Sequence, residues 1–188
     1  MSWEAQMVAR AAAFAAKAHG KQKRDDMGDP YFIHVAEVAD TLARREPFDP
    51  FLVSAALLHD TVEDTSVTLD DIHQFFGPET TDIVAEVTDP DDLETKNKAA
   101  WQAEHMKTAS VNARLIKLAD KASNVAEMID APARRRPTVA DMKSYLKGAR
   151  LVIDQCRGID ERLEADFDAV AARADVLIKE LEKKAKAK

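Results

Sequence analysis

Ala55-Ala56-Leu57-Leu58-His59-Asp60-Thr61-Val62-Glu63-Asp64-Thr65 is the stretch on which the rest of the chain turns. Leu57, Leu58 and Val62 give it the character of a buried helix. Within it a histidine adjoins an aspartate, and two more carboxylates follow one helical turn later. Polar and charged groups in such surroundings are costly to desolvate unless something compensates them. A bound cation is the simplest compensation. The bland alternative, an exposed acidic helix end, is weakened by two further sets of potential ligands elsewhere in the chain.

Outward from this run, hydrophobic spacing predicts helix almost everywhere. Val8, Ala11, Ala12 and Ala15 mark one helix over 3–19, ended by Gly20, and Gly28-Asp29-Pro30 is a turn. A second helix fits 31–45. A third fits 50–63, with Pro50 at its first turn. Thr68-Leu-Asp-Asp71 has capping-box spacing and opens a short helix ending at Gly77-Pro78. Helices over 79–88, 96–107, 111–130, 138–156 and 160–183 complete the pattern. An acidic loop covers 89–95, and 184–188 is expected to be a frayed tail. With no alternating strand and no internal repeat, the expectation is one all-α domain over 1–188, a compact multi-helix bundle.

Composition narrows the function classes. The chain has 188 residues, net charge −7 and one cysteine, Cys156. An acidic balance argues against nucleic acid as a partner. A single cysteine excludes an internal disulfide and a cysteine-based zinc site. No apolar run is long enough for a membrane span and no signal peptide is read, so the expected location is the cytoplasm.

His34, in Tyr31-Phe32-Ile33-His34, and Asp120, in Leu118-Ala119-Asp120, supply the further candidate ligands. With His59 and Asp60 they form a mixed set of two imidazoles and two carboxylates. Such a set suits Mn²⁺, Fe²⁺ or Zn²⁺ with positions left for water, and metal-bound water ionises near neutral pH, as hydrolysis requires. Glu63 and Asp64 lie four residues after His59 and Asp60, on a shared helical face, and are candidates for proton transfer. Asn124 stands four residues after Asp120 and suits a sugar hydroxyl or a phosphate. Arg24, Lys98 and Lys117 are candidate phosphate contacts. Arg134-Arg135-Arg136, far from any ligand in sequence, reads as a surface feature or an interface.

These residues resemble the HD-domain hydrolase superfamily, with its H…HD…D pattern. Gln22-Lys-Arg24 followed by Gly28-Asp-Pro30-Tyr31-Phe-Ile-His34 is similar to the Q-x-R…G-x-P-Y-x-x-H segment of the RelA/SpoT hydrolases. Leu57-Leu-His59-Asp60-Thr-Val-Glu63-Asp64-Thr65 resembles their L-L-H-D-x-x-E-D-T. Lys117-Leu-Ala-Asp120-Lys-Ala-Ser-Asn124 resembles their K-L-A-D-x-x-x-N. The resemblance covers about residues 5–160 and, with the chain's length, implies a stand-alone small alarmone hydrolase built as an HD bundle. It implies removal of pyrophosphate from the 3′ position of (p)ppGpp with one Mn²⁺ per chain. His34, His59, Asp60 and Asp120 fall on the metal ligands, and Glu63 and Asp64 on the catalytic acids. Arg24 falls beside the base and Asn124 on a substrate contact. Lys98 and Tyr145 fall on the phosphate and nucleotide pocket.

The chain departs from that pattern at Asp25-Asp26, where the family often carries a Lys or Arg, and at Ala122-Ser123 and Ala126-Glu127. Those changes leave the base open, with (p)ppApp as the alternative. Other readings are an HD phosphatase acting on NADPH or a nucleoside monophosphate, and a nucleotide-binding module without turnover. Monomer and homodimer remain open.

Overall fold

The computed structural model describes residues 2–24, 28–90 and 92–187; Asp25-Asp26 lies outside the described residues. The described chain is helical. Its helices are α1 Trp3–His19, α2 Phe32–Ala43, α3 Pro50–Leu58, α4 Thr61–Asp64, α5 Leu69–Phe76, α6 Pro78–Val87, α7 Lys98–Met106, α8 Val111–Asp130, α9 Val139–Ile153 and α10 Glu161–Lys186. A 3₁₀ turn, Thr95–Asn97, leads into α7. No strand occurs among the described residues; Lys23 and Pro30 form an isolated bridge across the glycine turn.

Local chemistry accounts for many of the helix starts. Asp49 accepts from the Phe51 and Leu52 amides ahead of α3, and Pro50 occupies a first-turn position that needs no donor. The capping box before α5 forms as expected, with the Asp71 carboxylate in the role usually filled by Glu. Ser110 and Asp160 cap α8 and α10 by accepting from the Ala113 and Leu163 amides.

α3 is the hub. Every residue from Leu52 to Leu58 is buried, as expected of a helix apolar on all sides. It packs against α1, α2 and α6, while α8 packs against α10, α2, α6 and α9. The core is continuous from Ala11 and Val35 through Leu58 and Ile116 to Phe167 and Ile178.

Two expectations need correction. The third helix does not run to Glu63: α3 stops at Leu58, and Asp60 has φ −101° and ψ −3°, too open for a regular turn. Thr61 Oγ donates to the Leu58 carbonyl at 2.7 Å, satisfying an acceptor that the broken ladder frees. At the other end, α10 continues to Lys186, past the expected limit at 183. Lys183, Lys184 and Lys186 favour that extension, because cations stabilise the carbonyl end of a helix.

Phe167 is fully buried and Val176 is 56% exposed on the same helix. Phe167→Ala is expected to cost about 3–5 kcal/mol in chemical denaturation, and Val176→Ala no more than about 0.5 kcal/mol.

Candidate metal centre

The break after Leu58 sets the site. It leaves His59 pinned by its Nδ1, which donates to the Ala56 carbonyl at 2.7 Å, so its Nε2 carries the lone pair. That Nε2 is buried and has no hydrogen-bond partner, and the same holds for His34 Nε2 on α2. His34 is oriented from behind by Ser123, whose hydroxyl stands 3.2 Å from Nδ1. The two imidazoles face each other with ring centroids 5.3 Å apart.

Two carboxylates close the group. Asp60 Oδ2 stands 3.2 Å from His59 Nε2 and 3.6 Å from His34 Nε2. Asp120 Oδ1, from α8, stands 3.3 Å and 3.9 Å from His34 and His59. Ligand atoms of His34, His59 and Asp120 all lie within 4.8 Å of one another. Donors about 2.1 Å from one ion lie roughly 3.0–3.4 Å apart at 90–109°, so the separations suit a shared divalent cation. Two buried imidazole nitrogens facing one buried and one partly buried carboxylate form a donor set that fits a divalent cation. Burial alone would push the His59 imidazole down, but Asp60 and Asp120 outweigh it and lift it to about 9.

The ligands are themselves held. Tyr31 donates its phenol to Asp60 at 2.7 Å. Asp120 accepts from the Asn124 amide at 2.5 Å and lies 3.3 Å from the Lys121 ammonium. Burial opposes ionisation of Asp120, yet Lys121 and the facing histidines keep it well below the usual carboxylate range.

Glu63 and Asp64 diverge from one another. Glu63 accepts from the Asp89 backbone amide at 2.8 Å and from Lys98 Nζ at 3.1 Å. Burial pushes its carboxyl upward against the pull of Lys117. Lys98 also contacts Asp89 at 2.8 Å, and Gln102 donates to both Asp89 oxygens. Asp64 instead accepts from Gln22 at 3.0 Å, and Gln22 in turn meets His19 Nδ1 at 2.9 Å.

The remaining candidates fall around this centre. Arg24 is 7% exposed, donates to Asn124 at 2.9 Å and pairs with Glu127 and, at 3.6 Å, with Glu37. Lys117 is buried and donates to the Val87 carbonyl at 2.8 Å. Tyr145 keeps 37% of its surface while its hydroxyl has Lys121, Asp120, Arg24 and Asn124 around it, and burial raises it to about 12. Arg24, Glu37, Ser123 and Glu127 also line a cavity of about 470 Å³ between α2, α8 and α10.

Sequence reasoning gave no role to Gln22, Tyr31, Asp89, Gln102, Lys121 or Ser123. Gln22 and Tyr31 were visible in the motif. Gln102 and Ser123 needed the fold, because their partners Asp89 and His34 are distant in sequence.

Comparison with known proteins gives the family. The HD domain family model matches residues 11–146. A Drosophila melanogaster protein named guanosine-3′,5′-bis(diphosphate) 3′-pyrophosphohydrolase MESH1 is 35% identical over 167 residues, covering 87% of this chain and 92% of its own. The Homo sapiens protein of that name is 36% identical over 169 residues, with the same coverage of each chain. A solved structure of a metazoan ortholog of SpoT, described as hydrolysing ppGpp, superposes with a TM-score of 0.84 at 32% identity, over 92% of this chain and 98% of that one. The chain belongs to the HD-domain hydrolases, and within them to the RelA/SpoT-type metal-dependent phosphohydrolases.

Proposed function

We propose that this chain removes pyrophosphate from the 3′ position of (p)ppGpp, leaving the nucleoside 5′-phosphate. The observation that carries the reading is the pair of unpartnered buried imidazole nitrogens facing two carboxylates, with Glu63 and Asp64 held beside them. The substrate named for the MESH1 relatives supports it. His34, His59, Asp60 and Asp120 would hold one Mn²⁺, preferred over Fe²⁺ and Zn²⁺ because half of the donors are carboxylate oxygens. When bound, that ion supplies Lewis-acid polarisation of the phosphate and a water acidic enough to ionise near neutral pH.

The chain's own residues do the rest. Glu63, fixed by the Asp89 amide and Lys98, accepts a proton from the attacking water. The water oxygen bonds to the phosphorus on the ribose 3′ oxygen. The bond between that phosphorus and the 3′ oxygen breaks, and the oxygen takes up a proton as pyrophosphate leaves. Asp64, oriented by Gln22, orders the water or the proton on the leaving side. Asn124 and Tyr145 stand beside Asp120, where they meet the ribose, and Arg24 meets the base.

A Mn²⁺-supplemented assay across ppGpp, ppApp and NADPH tests the reading. Pyrophosphate from ppGpp supports it; phosphate from NADPH alone redirects the substrate assignment, and turnover of ppApp in preference to ppGpp moves the base. Asp60→Ala and His59→Ala are expected to lose bound metal, measured by elemental analysis after dialysis, together with all turnover. Glu63→Gln should keep its metal and lose roughly 10²- to 10⁴-fold in kcat; undiminished turnover would remove Glu63 from proton transfer. Burial already raises the Glu63 carboxyl, and the Lys98 charge opposes that rise. A base must be deprotonated to act, so Lys98→Met is expected to shift the acidic limb of the kcat–pH profile to higher pH, read at saturating substrate.

A further inference from the structure

The three consecutive arginines have separate positions. Arg136 turns inward and donates to the Ala131 carbonyl at 2.9 Å, anchoring the 131–138 loop, while the Arg135 and Arg136 amides both close on the Pro132 carbonyl. Arg134 and Arg135 stay exposed. Arg135 lies across Gly28: a Cβ built there would stand 2.0 Å from one guanidinium nitrogen and 2.6 Å from the guanidinium carbon. Gly28 also has φ +80°, so two separate constraints keep a side chain off it. Its turn is tied directly to Arg24, with the Gly28 amide donating to the Arg24 carbonyl at 2.7 Å and the Arg24 amide to the Asp29 carbonyl at 2.9 Å. The loop that is remote in sequence thus arrives beside the nucleotide contact Arg24.

Charge decides what Arg135 is for. Four cations around the metal centre are engaged by protein acceptors. Arg24 is held by Glu127, Glu37 and Asn124, and Lys98 by Glu63 and Asp89; Lys117 bonds the Val87 carbonyl and Lys121 pairs with Asp120. Residues 25–29 add no cation. An alarmone carries phosphates at both ends of the nucleoside, and the metal centre meets only those on the 3′ side. The contacts run outward from Asp120 through Asn124 and Arg24 to Gly28 and Arg135. Arg135, exposed and without an ion pair among the described residues, stands at the outer end of that path.

We infer that Arg135 binds the 5′-phosphates of the substrate, as a contact of the site proposed above, reached from the opposite end of the nucleotide. A planar guanidinium suits bidentate contact with phosphate oxygens. The test compares wild type, Arg135→Gln, Arg135→Lys and Arg134→Gln on two substrates, ppGpp and guanosine 3′-diphosphate without a 5′-phosphate. Arg135→Gln is expected to raise KM for ppGpp about tenfold, with kcat within about twofold, and to leave KM for the 5′-hydroxyl substrate unchanged. Arg135→Lys should recover part of the loss, and Arg134→Gln should match wild type. In calorimetric titrations, GDP should bind Arg135→Gln about tenfold more weakly while guanosine is unaffected. Equal KM values for ppGpp, or equal losses on both substrates, would overturn the inference. Wild type that releases no pyrophosphate from either substrate would instead bring down the hydrolase reading on which it rests.

Discussion

The structure is organised around two imidazole nitrogens that are buried without partners. A buried polar atom left unsatisfied is costly, and here two of them point at each other's surroundings alongside two ionised carboxylates. A folded chain tolerates that arrangement when a cation or a proton occupies the centre. The requirement reaches far beyond the ligands. It draws α2, α3 and α8 to one point, and it accompanies the interruption of the most buried helix in the molecule at the residue where its continuation would carry Asp60 onward in regular helical register.

Around that centre, supporting groups are arranged so that each ligand is held by something already fixed. Ala56 sets the His59 tautomer, Ser123 backs His34, Tyr31 holds Asp60, and Asn124 with Lys121 holds Asp120. Such partners fix ring orientation and ligand basicity. The two acids beyond the ligands have unlike surroundings. Glu63 sits among Lys98, Lys117 and Asp89 and is raised by burial, whereas Asp64 is tied through Gln22 to His19. Two carboxyls placed in different environments can take different proton-transfer roles.

Much of this was legible in the residues. Helical periodicity, the Pro50 start, the Thr68 cap and the turn at Gly28 gave the all-α architecture, and the His-Asp pair with His34 and Asp120 gave the centre. The break after Leu58 was not legible, because His-Asp-Thr-Val are only mildly poor helix formers, too weak a signal to place a break; tertiary demands at the site decide it there. Regular helical spacing therefore put Glu63 beside His59 and Asp64 beside Asp60, whereas in the structure Glu63 is held by the Asp89 amide and Lys98, and Asp64 by Gln22. The cations were harder still. Lys117 and Arg24 have the same charge in a sequence, but one is buried against the Val87 carbonyl and the other is shared among residues from α2 and α8.

Arg24 shows why that distinction matters. Its guanidinium is held by Glu37 on one side and by Asn124 and Glu127 on the other. Its charge is largely balanced by these partners, so it offers a flat face more than a free cation. A face of that kind suits a planar ring, and a neutralised one holds phosphate poorly. On the proposed reading, recognition of the nucleotide divides by chemistry: the metal centre would act at the 3′-phosphates and the balanced arginine would serve the base. The exposed charge of Arg135 belongs to a different loop, one that a side-chain-free glycine allows to approach.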